Sequence, residues 1–308
     1  MTRLAQALRS PAAGVVGALL GAGLLALLVV RLHDLWDQHP VPLGDANAFL
    51  LVLGLAASGA AMTAYGAVWA TTLRAVGSSA PANLLGLFYA GQLGKYLPGS
   101  AWQYLGRAGL AVRAGVPLRL GAVSLVLEAG CSLLAAALVA PFALASDGGR
   151  VAAVAVAVLG LALACALASR TSWARRVVRR ALERTAGVEA RVDLRAVRTA
   201  TALYAGVWLL FGLAFWLLAA ALYGVPFSDF LLYTGAFTAA WAAGFVVVLA
   251  PGGIGVREAV LVLLLRGRLG ESEAIVLAAA SRIALTFVDL AGGAAALALL
   301  RRAPKTPG

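Results

Sequence analysis

The 308 residues are 62% hydrophobic and 12% charged, with a net charge of +12 and a mean hydropathy of +0.91. Soluble domains are about half apolar and a quarter charged, so a soluble fold is excluded. Uninterrupted apolar runs of more than twenty residues likewise exclude a barrel of short alternating strands.

The chain opens with Arg3 and Arg9, then an apolar run over residues 12–30, the first predicted span. The loop 31–47 holds Asp34, Asp37 and Asp45 against one arginine and is expected outside. Residues 48–73 return to Arg74 as the second span. Residues 82–114 cannot be one helix, because Pro98 lacks an N–H and Gly99 follows at once. Limbs over 83–97 and 101–114 would be roughly 20–23 Å long, short of a hydrocarbon core of roughly 30 Å. A re-entrant hairpin opening to the cytoplasm is expected. Residues 120–145, with Glu128 inside, form the third span, and 151–168 the fourth.

Residues 170–198 carry nine arginines against three acids, the mark of a cytoplasmic loop. Trp173, Val177, Val178, Ala181 and Leu182 recur at helical spacing there and predict an interfacial helix on anionic lipid. The positive charge thus reads as a topology signal, and no nucleic-acid partner is expected. Residues 200–223 are the fifth span. A second broken segment, 227–266, contains Pro251-Gly252-Gly253; its limb 255–265 is about 17 Å and too short to cross. Residues 271–300 are the last span, and Arg301, Arg302 and Lys305 after it place the C-terminus in the cytoplasm with the N-terminus.

The predicted fold is all-α: one transmembrane domain, 1–308, made of two inverted halves, about 12–145 and 150–300. Each half has two spans, a Pro-Gly re-entrant hairpin and a third span, the first hairpin opening inward and the second outward. Residues 227–249 could instead form a full span, since Arg266 and Arg268 lie awkwardly outside. Broken segments at matching places in two halves point to a transport site.

Ionisable groups at membrane depth or on the hairpins are Lys95, Arg107, Glu128, Arg257, Glu258, Arg282 and Asp289. Each costs at least ~2.5–3.5 kcal/mol at the bilayer centre, so each should face inward and be paired. Glu128 and Arg282 occupy corresponding places in the third spans and are candidate partners. Arg282 and Asp289 are seven residues apart, on one helix face. Lys95, Arg107, Arg257 and Arg282 are the candidate phosphate-binding cations, with Glu128, Glu258 and Asp289 as their acidic partners. The blander alternatives are ion pairs that only dock helices, and a Lys95 that snorkels to the surface. Tyr96, Trp102 and Tyr104 read as interfacial anchors. The Walker A, G-x-S-x-G, H-E-x-x-H and CxxC patterns are absent. No catalytic residue, metal or cofactor is therefore expected.

The runs GKYLPGSAWQYLGRAGL, SLVLEAG, PGGIGVREAVL and SRIALTFVDL resemble the lysylphosphatidylglycerol synthase transmembrane region, also called the flippase-like domain family. The resemblance covers about residues 14–300. It implies an integral membrane protein; in the best-known member this region moves an aminoacylated phospholipid between leaflets. Synthase activity belongs to a separate soluble domain there and is not carried over. Where the commoner pattern has an acid and an arginine after the first Pro-Gly, this chain has SAWQYLGR. Members with the GKYLPGSAW form are similar to those associated with envelope glycolipids and polyprenyl-linked sugars. The expected function is translocation of an anionic lipid or polyprenyl-phosphate-linked headgroup across the cytoplasmic membrane. The alternatives are a non-transporting subunit that docks an envelope glycosyltransferase, and an intramembrane lipid-modifying enzyme.

Overall fold

The computed structural model describes residues 46–96, 102–144, 192–246 and 255–302, and among them every regular element is helical. The expected first and fourth spans, both Pro-Gly breaks (Pro98, Gly99, Pro251, Gly252) and residues 170–191 of the arginine-rich loop lie outside the described residues.

Helix α1 spans Ala48–Ala75, with the Asn47 side chain accepting from the Leu50 N–H at 3.1 Å. The first broken segment comprises α2, Leu84–Gln92, a 3₁₀ turn over Leu93–Tyr96, and α3, Trp102–Arg113. Helix α4, Leu118–Val139, continues as a 3₁₀ turn over Ala140–Leu144. Helix α5 spans Leu194–Tyr223, earlier than the sequence suggested, because Asp193 caps it by accepting from the Arg195 N–H at 2.8 Å. The arginine-rich loop therefore ends in helix. The second broken segment comprises α6, Phe230–Val246, and α7, Val256–Leu269, and α8 closes the chain over Glu271–Arg302. Helices α1, α4, α5 and α8 are long and apolar enough to cross a membrane.

Helices α1 and α5, the second and fifth spans in sequence, pack antiparallel along their whole length. Asn47 N–H donates to Ala221 O and Asp193 N–H to Ala75 O, each at 2.9 Å, so both ends are tied. Aromatic rings fill the seam: Tyr65 lies 4.9 Å from Tyr204, and Trp208 4.5 Å from Trp241 on α6. Between lipid-like surroundings on both sides, such interior contacts supply packing rather than a hydrophobic driving force.

Each broken segment folds back on itself. In the first, a Cβ on Gly91 would meet Arg107 and one on Gly94 would meet the Trp102 and Gln103 backbone, so α2 and α3 run side by side in opposite senses. In the second, Arg268 after the turn pairs with Asp229 before α6 at 3.5 Å, and Arg257 faces Phe237. Helices α6 and α7 therefore return to the end they started from.

The α4 segment packs on α6, and α8 packs on α2. Gly235 on α6 meets the end of the α4 segment, where an added Cβ would come 2.0 Å from Ala143 N and 2.6 Å from Phe142 C. Backbone atoms cannot step aside, so Gly235→Ala should destabilise by about 1–3 kcal/mol or more. Thermal unfolding in detergent measures this; an unchanged midpoint would place Gly235 away from that contact.

Candidate functional site

Two charged centres are buried in the bundle, and they pair the ionisable residues differently from the sequence expectation. The first is on α3 and α4. Arg107 is 2% exposed and Glu128 1%. The guanidinium grips the carboxylate with both arms, Nη1 to Oε1 at 2.9 Å and Nη2 to Oε2. The expected Glu128–Arg282 pairing is thus corrected: Arg107 occupies both Glu128 oxygens, because the first hairpin folds α3 directly onto α4.

Neighbouring helices shape this pair. The Arg107 guanidinium lies 4.5 Å from the Trp69 ring of α1 and 5.0 Å from the Phe88 ring of α2. Trp69 is fixed in turn by its indole N–H, which donates to Ser124 Oγ at 3.0 Å. Gly91 provides the room: a Cβ there would sit 2.1 Å from Arg107 Cγ. A bidentate pair with ring contacts and almost no water contact is a docking element. The two Nη arms of Arg107 are engaged by Glu128, while Nε is buried without a hydrogen-bond partner among the described residues.

The second centre lies where the 3₁₀ turn after α2 and the start of α7 approach α8. Lys95, at the tip of the first hairpin, makes an ion pair with Asp289 Oδ2. Tyr96 donates to the same oxygen at 2.9 Å. Arg282 Nε lies 3.9 Å from Glu258 Oε1, and Glu258 Oε2 accepts from the Gly255 N–H at 2.7 Å, holding the start of α7. Arg257 stands beside them, half-buried, 5.7 Å from the Phe237 ring. Among the described residues no carboxylate forms an ion pair with it. Lys95 and Arg257 lie within each other's electrostatic field and within that of Arg282. Three cations against Glu258 and Asp289 leave an excess of positive charge where the hairpins converge.

The sequence expectation that Arg282 and Asp289 share an inward face of α8 holds: side-chain exposures are 16% and 1%. Tyr96 had read as an interfacial anchor, yet its hydroxyl is a ligand of Asp289. That contact joins residues 193 positions apart, and only the adjacency of Tyr96 to Lys95 hinted at it. Trp69 carried no signal at all, being one aromatic in an apolar helix. Among the described residues no His, Cys, Asp and Glu cluster could hold a metal ion.

The four long apolar helices, the paired hairpins and the charged centre between them are the frame on which the comparisons bear. No curated protein matches the chain. The family model described as the lysylphosphatidylglycerol synthase TM region matches residues 13–293, nearly the whole length, and the chain belongs to that family.

Proposed function

We propose that the protein translocates an anionic lipid or polyprenyl-phosphate-linked headgroup across the cytoplasmic membrane, with phosphate held between the hairpin tips. The observation that carries this reading is Arg257. It is a half-buried guanidinium without a carboxylate partner among the described residues, placed beside Lys95 and Arg282. An arginine fork suits a phosphate by two hydrogen bonds, and the acyl or prenyl tail stays in lipid beside the exposed apolar faces of α4 and α8. Val126 and Phe287, for example, are 61% and 59% exposed. In this reading the two halves are inverted, the hairpins are re-entrant, and the protein is a transporter rather than an enzyme.

Charge distribution supports an orientation. Arg74, Arg113, Arg119, Arg195 and Arg198 gather with a single acid, Asp193, at the end where α1 finishes and α5 begins. At the opposite end Arg266 and Arg268 are offset by Asp229, Glu271 and Glu273. The first end is therefore the cytoplasmic one. Cysteines replacing exposed Ser79 and Ser228, in a background without Cys131 and Cys165, should label from the cytoplasm and from outside respectively. Labelling of both from one side would remove the opposed hairpins.

Translocation is tested with purified protein alone, reconstituted in phosphatidylcholine vesicles containing NBD-labelled phosphatidylglycerol or a labelled polyprenyl phosphate. Headgroup flipping above the protein-free rate is expected for at least one probe. No flipping of either would favour a non-transporting subunit that docks an envelope glycosyltransferase.

A further inference from the structure

Asp289 is almost completely buried on α8, yet its two carboxylate oxygens have different surroundings. Oδ2 takes both the Lys95 ammonium and the Tyr96 hydroxyl. Oδ1 is buried and has no hydrogen-bond partner among the described residues. An ionised oxygen left in that condition is costly, and such an exception asks for a reason. A proton on the carboxyl removes the charge, and with it most of that cost.

The same carboxylate is also an obstacle to the headgroup. It is the resident anion on Lys95, holding the tip of the first hairpin against α8. A phosphate that is to use Lys95 must displace it. The groups around Asp289 make that exchange sensitive to charge. Lys95 and Tyr96 face it from the hairpin tip, Tyr89 from α2, and Arg257 from α7, with Arg282 on α8 itself. Thr63 of α1 meets the Tyr89 hydroxyl at 2.8 Å. The other acid of the centre, Glu258, is engaged with Arg282 and the Gly255 N–H, and neutralising Asp289 adds one unit to the positive excess that an anion sees.

We propose that Asp289 is the proton site of a proton-coupled translocation, taking one proton on Oδ1 as the headgroup phosphate takes Lys95. The inference rests on the headgroup site proposed above. The proton comes from water at one membrane face and returns to water at the other, with no covalent bond to the headgroup. Lys95 stays an ammonium throughout and changes partner from carboxylate to phosphate. Proton and phosphate then raise each other's affinity by the same factor, as linkage requires. A proton gradient thereby becomes a driving force for headgroup movement.

Two measurements test this. In vesicles of phosphatidylcholine with NBD-phosphatidylglycerol, wild-type flipping should fall about tenfold per pH unit above the titration midpoint, one proton being needed per headgroup. Asp289→Asn, which mimics the neutral acid, should flip with a flat pH profile. Asp289→Glu should keep the slope with a displaced midpoint. Equal pH profiles in the wild type and Asp289→Asn would overturn the proton site while leaving translocation intact. The second measurement needs no transport. Infrared difference spectra of the purified protein, titrated from neutral to acid, should show a carboxylic-acid carbonyl band that Asp289→Asn removes. Added phosphatidylglycerol should move that band's midpoint to higher pH. A band that survives in Asp289→Asn, or the lack of any band, would overturn the proposal even if no lipid is moved. Should Asp289→Asn fail to fold, Lys95→Met with Asp289→Asn removes the pair without stranding a charge and serves in the infrared measurement, which needs no transport.

Discussion

Glu128→Gln should lower the folded yield and the unfolding midpoint of the purified protein more than any exposed substitution. The change leaves the Arg107 guanidinium buried and charged, with Trp69 and Phe88 against it and no counter-ion. Breaking a buried pair in this way costs about 3–5 kcal/mol. Arg107→Met should be as damaging, since it strands Glu128. Replacing both, as Arg107→Met with Glu128→Gln, should bring stability most of the way back, because the desolvation of two ions is avoided together. The charge swap should recover less: a guanidinium at 128 no longer meets the Trp69 and Phe88 faces. Thermal unfolding of the four variants gives the coupling directly. A double variant no more stable than the sum of the singles would show that the pair does not act as a unit.

At the hairpin tips the expected loss is of function rather than of fold. Arg257→Lys keeps the charge, and there is no carboxylate partner among the described residues to strand, so folded yield should hold. It removes the planar fork, however, and with it one of two charge-assisted bonds to phosphate. Such a bond is worth about 1.5–3 kcal/mol, so headgroup flipping should fall about tenfold to a hundredfold. Arg282→Lys should behave similarly but also loosen the start of α7, because Arg282 lies against Glu258. A glycosyltransferase-docking role makes a different demand. There the tips would tolerate lysine, and neutralising Arg175, Arg176, Arg179 and Arg180 would cost activity instead. Full flipping by Arg257→Lys would remove the phosphate site from the second hairpin.

The two centres differ in a way that bears on how such a protein could work. Arg107 and Glu128 hold each other by two hydrogen bonds away from solvent, which fixes the first hairpin's return limb on α4. Lys95 and Asp289 share a pair in which the lysine is 23% exposed and one carboxylate oxygen lacks a donor among the described residues. The first hairpin is therefore anchored through Arg107 on α4 and through Lys95 and Tyr96 on α8.

Much of the architecture could be read from the chain alone. Hydropathy and length identify a helical membrane bundle, since only a helix satisfies its own backbone in lipid. The order of spans and broken segments is equally local information: a proline and a glycine interrupt a helix wherever they occur. The cost of a charge at membrane depth also told in advance that Glu128, Asp289 and their neighbours must face inward and find partners. Which partners was decided by the tertiary structure. Position along matching helices suggested Glu128 with Arg282, whereas the fold of α3 onto α4 delivers Arg107 to it and the hairpin tip delivers Lys95 and Tyr96 to Asp289. Pair choice depends on the rotation of each helix about its axis and on where each hairpin turns back. Neither is written in periodicity, because every inward-facing cation satisfies the same local pattern. The same holds for Trp69 and Gly91, whose parts in the Arg107 centre come only from the side-by-side packing of α1, α2 and α3.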